Sequence, residues 1–199
     1  MTGDSRIPRA SALLPEAGAS ATADKALLRR TLKDRRRAIA LDVKRAWDDR
    51  IGAQVLAWWR ANPSGSLAVY WPLAGEPDLR PAYAELAEEG VRLALPVVVA
   101  RDAALGFAQW VPGEATVADS MGVAVPAELR MVGRPEALLV PCLGFDAQGY
   151  RLGYGGGFYD RTLAEEPRPR TLGIAYSCQL VEFDLNEYDI PLGEIITES

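Results

Sequence analysis

Ala137-Leu138-Leu139-Val140-Pro141-Cys142-Leu143 is a near-continuous apolar run. A strand that is hydrophobic towards both faces is buried on both, the mark of a parallel sheet covered by helices. The chain then reads Phe145-Asp146-Ala147-Gln148-Gly149-Tyr150-Arg151-Leu152-Gly153-Tyr154-Gly155-Gly156-Gly157-Phe158-Tyr159-Asp160-Arg161, with four glycines in five positions and a helix expected to begin near Gly157. Glycine admits positive φ and lets backbone N–H groups approach a ligand closely. A helix start adds unpaired N–H donors and partial positive charge. Strand, glycine loop and helix therefore predict a phosphate cradle, with Arg151 as a charged clamp. The loop is not a Walker A sequence, since no Gly-Lys-Ser/Thr follows. Nor is it a GxGxxG pattern, because Phe158 holds the third position. The competing reading is an ordinary strand-to-helix turn, which has no need of four glycines beside an ordered Arg and Asp.

Outward from this stretch, elements alternate. Asp24 predicts the N-cap of a helix to about Ala40, with Leu27, Leu28, Leu32 and Ile39 on its apolar side. Asp42 predicts the cap of a second helix through Trp59, with Val43, Trp47, Ile51, Val55, Trp58 and Trp59 at helical spacing. Asn62-Pro63-Ser64-Gly65 ends it. Leu67–Trp71 reads as a strand, Pro81–Glu89 as a helix stopped by Gly90, and Val91–Val99 as a strand interrupted at Pro96. Leu105–Val111 reads as a further strand, residues 112–135 as turn-rich, and Leu172–Tyr176 and Glu194–Thr197 as the last strands. Strands alternating with helices predict one α/β layered domain over residues 24–199. Residues 1–23 are rich in Ala, Ser, Gly and Pro without periodicity, and are expected to be a mostly disordered tail. They lack the charged start and apolar core of a secretory signal.

Composition excludes much. The chain has 199 residues, which fits a single domain. Its 22 Lys and Arg against 27 Asp and Glu give a net charge of −5, so the whole is no polyanion binder. There is no histidine. That removes a Ser-His-Asp triad, a Cys-His dyad, an HExxH zinc helix and imidazole acid–base chemistry. Cys142 and Cys178 supply neither a zinc site nor a disulfide framework, and a reducing cytoplasm is the expectation. No apolar run approaches the ~20 residues of a membrane span.

Charge is unevenly distributed. Residues 25–50 hold ten basic and four acidic side chains. Most of the basic ones read as solvated helix faces. Lys25 and Arg29, at i and i+4, share a face and can grip one anionic group together. An RNA-binding reading of the cluster lacks an aromatic platform or a binding motif, so nucleic acid is not expected as a partner. Near the end stand Asp184, Glu187, Asp189 and Glu194. Carboxylates close to a phosphate loop suggest Mg²⁺, a hard ion that bridges phosphate oxygens. Asp160 would be a first ligand, and Asp189 a second if the tail folds back. Each carboxylate taken alone reads as a surface charge.

At these residues the sequence resembles the 5-formyltetrahydrofolate cyclo-ligase (5,10-methenyltetrahydrofolate synthetase) family. The most specific part is Val140-Pro141-Cys142-Leu143-Gly144-Phe145-Asp146, followed by Gly149-Tyr150-Arg151-Leu152-Gly153, the glycine run and Phe158-Tyr159-Asp160-Arg161. Weaker matches keep the family's order: Lys25-Ala26-Leu27-Leu28-Arg29, Glu76-Pro77-Asp78, Leu95-Pro96-Val97-Val98, Phe107-Ala108-Gln109-Trp110, Asn186-Glu187-Tyr188-Asp189 and Ile195-Ile196-Thr197-Glu198. The resemblance spans about residues 25–198. It implies an open α/β domain with a central, mostly parallel or mixed sheet flanked by helices, of the ribose-phosphate isomerase and CoA transferase-like type.

The resemblance also implies a reaction. ATP and Mg²⁺ would drive closure of 5-formyltetrahydrofolate, with or without a polyglutamate tail, to 5,10-methenyltetrahydrofolate with release of ADP and phosphate. The γ-phosphoryl group would pass to the formyl oxygen, N10 would attack the formyl carbon, and phosphate would leave. Positioning and charge neutralisation dominate such transfers, so a histidine-free chain suits the chemistry. By position, Lys25 and Arg29 would hold ATP phosphates. Arg151, Leu152, Gly153, Tyr154, Gly155, Gly156, Gly157, Phe158 and Tyr159 would form the ATP loop, with Arg151 and Tyr159 catalytic. Asp160 and Asp189 would hold Mg²⁺. Glu76 would bind the pterin end of the folate, and Trp71 with Tyr154–Phe158 would line the folate pocket. A cytoplasmic monomer without membrane contact is expected. The chain departs from the family pattern at Val125, where the family often has Glu, at Tyr188, where many members carry His, and at Gly156, where some have Lys. A non-catalytic folate- or nucleotide-binding relative is the alternative reading.

Overall fold

The computed structural model describes residues 17–199. The expected tail lies, for residues 1–16, outside the described residues. From Ala17 the chain is already helical. Helix α1 spans Ala17–Arg37 and α2 spans Leu41–Ala61. Strand β1 (Ser66–Ala68), helix α3 (Arg80–Glu88) and strands β2 (Arg92–Val98) and β3 (Leu105–Gln109) follow. Then come β4 (Thr116–Ala118), β5 (Ala124–Pro126), β6 (Met131–Val132), β7 (Ala137–Pro141), β8 (Gly144–Phe145) and β9 (Arg151–Leu152). Helix α4 (Phe158–Ala164), β10 (Arg170–Ile174) and β11 (Glu194–Ile196) complete the chain.

One seven-stranded sheet, in the order β11-β10-β7-β1-β2-β3-β6, organises the molecule. The strands from β11 to β2 are parallel, and β3 runs against both β2 and β6. The apolar run that opened the reading is β7, buried and paired in parallel with β1 on one side and β10 on the other. Its side chains alternate in destination. Ala137 and Leu139 join Leu67, Leu93, Leu95, Leu172 and Ile174 under α2 and α3, while Leu138 and Val140 join Ala68, Ala94, Phe107 and Leu163 of α4 on the opposite face. The crossover β1–α3–β2 thus covers one face and β7–α4–β10 the other. Neighbouring strands β1 and β7 send their chains in opposite directions, as right-handed connections require. Open α/β sheets bind ligands at such a divergence, beyond the carboxyl ends of the strands.

Several expectations need correction. Asp24 caps nothing: it lies inside α1, because the alanine-rich stretch before it continues the helix with the best helix former. The N-cap position of α2 is Ala40, and Asp42 stands in the first turn, where its charge still favours the dipole. Leu27 is 64% exposed, and the inward side of α1 is Leu28, Leu32 and Arg36 instead. Pro96 does not interrupt β2. It pairs with Phe107, two positions beyond Ala94, the last residue that β1 pairs with, so its missing N–H removes no bond on that side. Residues 112–135, read as turns, contain the β4–β5 hairpin and the edge strand β6.

Both cysteines are free. Cys142 is buried behind β7, and burial pushes its thiol up to about 12. Cys178 is half-buried, its thiol raised by burial and by Glu198. Alkylation of the native protein at pH 8, read by peptide mass spectrometry, is expected to mark Cys178 slowly and Cys142 only after unfolding. Equal labelling of both in the native state would contradict the packing.

Candidate active site

The sheet divergence holds a cavity of about 670 Å³. The ends of β1, β2 and β7 contribute Tyr70 and Trp71, Pro96 and Val98, and Pro141. All fifteen residues given a site role in the sequence reading line this cavity: Lys25, Arg29, Trp71, Glu76, every residue from Arg151 to Asp160, and Asp189.

At one end, α1 packs across the strand termini rather than on a sheet face. Leu32 is fully buried against Leu143 and Leu152, with Leu28 beside it. That anchor turns Lys25 and Arg29 inward. The Arg29 Nε donates to the Gly153 carbonyl at 2.9 Å, and its guanidinium lies where a Cβ on Gly155 would be 3.6 Å from Cζ. The glycine loop does not leave β7 directly, as expected, but passes first through the β8–β9 hairpin. The Asp146 carboxylate closes that hairpin by accepting from the Gln148 and Tyr150 N–H groups, both at 2.9 Å. Arg151 emerges from β9 almost buried. Its Nη2 donates to Asp160 Oδ1 at 2.9 Å, its guanidinium lies 5.2 Å from the centre of the Tyr159 ring, and its Nε is buried without a partner among the described residues. Burial raises the Tyr159 hydroxyl, against the pull of the Arg151 charge, so it stays protonated. Gly157 caps α4 at φ +64°, a left-handed conformation that L side chains rarely adopt. At seven residues α4 is short for a strong dipole, so the charge complement for a phosphate rests on Lys25, Arg29 and Arg151.

The two expected metal ligands sit on this wall, each already paired. Asp160 bonds Arg151, and Asp189 Oδ2 accepts from Lys25 at 3.3 Å and from the Asn186 N–H at 2.9 Å. Among the described residues no three His, Cys, Asp or Glu converge into a metal cage. The donor set nonetheless fits Mg²⁺, which is commonly held by one or two carboxylates plus substrate phosphates. The lining carries three cations (Lys25, Arg29, Arg151) against five carboxylates (Glu76, Asp119, Asp160, Asp184, Asp189). A triphosphate entering such a wall needs a divalent ion to balance it.

Glu76, 2% exposed, lines the same cavity. Its Oε2 accepts from the Leu73 N–H at 2.8 Å, and the Tyr154 hydroxyl donates to its Oε1. Arg36, also buried, lies 3.7 Å from the same oxygen. The Arg36 Nη1 donates to the Tyr154 oxygen at 2.9 Å and its Nη2 to the Ala74 carbonyl at 3.1 Å. Gly75, at φ +81°, gives the arginine room: a Cβ there would stand 3.3 Å from the Arg36 Nε. Trp71 meets Trp110 edge-on at 5.8 Å and carries Arg80 over its ring, so it is partly core and partly cavity wall.

Sequence reasoning missed Arg36 and the β4–β5 turn. Arg36 lies seven residues after Arg29, two helical turns along the same face, and that spacing is a legible signal. Asp119 lines the cavity and builds the turn, its Oδ1 accepting from the Met121 N–H at 2.8 Å and the Val123 N–H at 2.9 Å. Val125, one of the departures noted above, is buried against Val97 and Ala108. Tyr188 is 74% exposed.

Residues 21–198 match the sequence model of the 5-formyltetrahydrofolate cyclo-ligase family. The 5-formyltetrahydrofolate cyclo-ligase of Escherichia coli K12 is 31% identical over 176 residues, covering 84% of this chain and 97% of its own. That of Mycolicibacterium smegmatis is 34% identical over 188 residues, covering 87% of this chain and 93% of its own. Among solved structures, a 5,10-methenyltetrahydrofolate synthetase from Mycoplasma pneumoniae superposes with a TM-score of 0.75 at 26% identity, over 88% of this chain and 99% of that one. The Aquifex aeolicus 5,10-methenyltetrahydrofolate synthetase gives 0.71 at 29% identity, over 87% and 89%. With its strand divergence, glycine loop and flanking charges in place, the chain belongs to the 5-formyltetrahydrofolate cyclo-ligase family.

Proposed function

We propose that this chain closes 5-formyltetrahydrofolate to 5,10-methenyltetrahydrofolate, using ATP with Mg²⁺ and releasing ADP and phosphate. The observation that carries the reading is one cavity that gathers two chemically different sets of groups around one glycine loop. Cations and carboxylates suited to a metal-bound triphosphate line it, and so do a buried carboxylate, Glu76, and a tryptophan, Trp71. Glu76 accepts N–H donors from the aminopyrimidine edge of the pterin, and Trp71 lies against the ring. Lys25 and Arg29 hold phosphates, and the loop aims the terminal one at the formyl oxygen. Mg²⁺, held by Asp160 and Asp189 together with phosphate oxygens, would supply charge neutralisation.

The formyl oxygen takes the phosphoryl group and becomes a good leaving group. N10 then attacks the formyl carbon, the C–O bond breaks, and phosphate departs; the basic phosphate can take the N10 proton. No protein nucleophile or imidazole is required. Arg151 follows the charge on the transferred group, and Tyr159, kept protonated, can donate to it but not act as base. Enclosure matters because water would hydrolyse the activated formyl group. A cytoplasmic monomer belongs to the same proposal; both cysteines are free, as a reducing compartment keeps them.

Mixing the protein with ATP, Mg²⁺ and 5-formyltetrahydrofolate tests this by absorbance of the methenyl product. One ADP is expected for each methenyl formed. Binding of both ligands by folded protein with no product would make the chain a binding relative and overturn the enzymatic reading.

A further inference from the structure

The Tyr154 side chain belongs to the glycine loop but makes its polar contacts outside it. Its hydroxyl donates to Glu76 and accepts from Arg36. Its ring lies 5.4 Å from the Lys33 Nζ and 5.9 Å from the Arg36 guanidinium, and the residue is 38% exposed. Arg36 and Glu76, by contrast, are buried. Tyr154 is the exposed member of the three. The residue sits between Gly153 and Gly155, the latter at φ +100°, so the backbone on both sides can swing.

A carboxylate offers about four lone-pair directions, two per oxygen. At Glu76 one Oε1 direction serves Tyr154, the same oxygen faces Arg36, and Oε2 serves the Leu73 N–H. An aminopyrimidine edge with two parallel N–H donors needs one free direction on each oxygen. In so buried a group, two-point recognition and the tyrosine bond compete for Oε1.

Resting on the functional reading above, we propose that Tyr154 is a latch between the two substrate subsites: the pterin edge displaces its hydroxyl from Glu76, and that release frees the glycine loop to close on the triphosphate. The coupling has a second strand. The loop carbonyl next to Tyr154, that of Gly153, holds the Arg29 Nε at 2.9 Å. Movement of Tyr154 therefore also releases a phosphate-binding cation. Arg36 is a positioning residue in this scheme. Its bonds to Ala74 and its charge beside Glu76 remain when the tyrosine leaves, so the carboxylate never stands unbalanced. Burial, reinforced by the Glu76 charge, raises the Tyr154 hydroxyl well above its ordinary value, which keeps it a donor across the working pH range.

Linkage makes the coupling reciprocal: whatever factor folate adds to nucleotide affinity, nucleotide adds to folate affinity. One charge-assisted hydrogen bond sets its size at about tenfold. Calorimetric titration of 5-formyltetrahydrofolate, and of a non-hydrolysable ATP analogue with Mg²⁺, each alone and with the other present, measures it. In the native protein each ligand is expected to tighten the other about tenfold. Tyr154→Phe keeps the ring and its cation contacts. It is expected to bind folate alone about tenfold more tightly and to bring the coupling factor within about twofold of unity. Coupling retained in Tyr154→Phe, or folate bound more weakly by it, would overturn the latch. Native protein that turns over with uncoupled ligands would overturn the latch alone, whereas native protein that binds neither ligand would overturn the functional reading itself.

Discussion

Asp160→Asn is expected to lower single-turnover formation of the methenyl product about a hundred- to a thousandfold, with folate affinity held within about twofold. The substitution preserves volume and leaves an oxygen for the Arg151 Nη2, which Asp160 now accepts at 2.9 Å. What it removes is the negative charge that a hard dication requires of its ligand. Because the proposal assigns Asp160 to the metal-bound phosphates and Glu76 and Trp71 to the folate, folate should barely register the change. The Mg²⁺ concentration giving half-maximal rate should rise in the same variant. A rate within tenfold of the native one, at unchanged Mg²⁺ dependence, would remove Asp160 from the metal site.

Glu76→Ala should act on stability and on binding together. Arg36 is 4% exposed and its nearest carboxylate is Glu76, at 3.7 Å. Removing one partner of a buried pair leaves an uncompensated charge, a loss of about 3–5 kcal/mol. Urea denaturation should show it as a lower midpoint with little change in slope. Folate affinity should fall at least about a hundredfold, since the group proposed to accept the pterin N–H donors is gone. Glu76→Gln separates the two effects. The amide still accepts from the Leu73 N–H and fills the same space, so the stability loss should be smaller, while an amide offers only one acceptor oxygen to the pterin edge. Folate bound normally by Glu76→Gln would place recognition elsewhere in the cavity.

The sheet was legible because its strands carry their environment in their composition. Ala137–Leu143 is apolar on both faces, and β7 is paired and covered on both. The glycine loop was legible for a related reason, since few other arrangements use so many small residues in so short a span. The short strands β4, β5 and β6 were not. They are two or three residues long, below the length at which period-two alternation can be told from a turn. Asp119 was hidden with them. Arg36 was lost among three consecutive arginines, of which Arg35 and Arg37 are exposed. The helical phase picks it out only once Leu32 is known to face inward. Tyr154 was read as pocket lining, and its tie to Glu76 joins positions 78 residues apart, a pairing no local pattern encodes.

The fastening of α1 has a thermodynamic corollary. This helix supplies Lys25, Arg29 and Arg36, yet its apolar seat is a small cluster centred on Leu32, Leu143 and Leu152, separate from the two larger cores. On the proposed reading, whatever the nucleotide gives to Lys25 and Arg29 is added to the modest free energy that this small cluster gives to docking. Seating of the helix and capture of the ligand are therefore one equilibrium, and the nucleotide serves as part of the mortar of the wall that holds it.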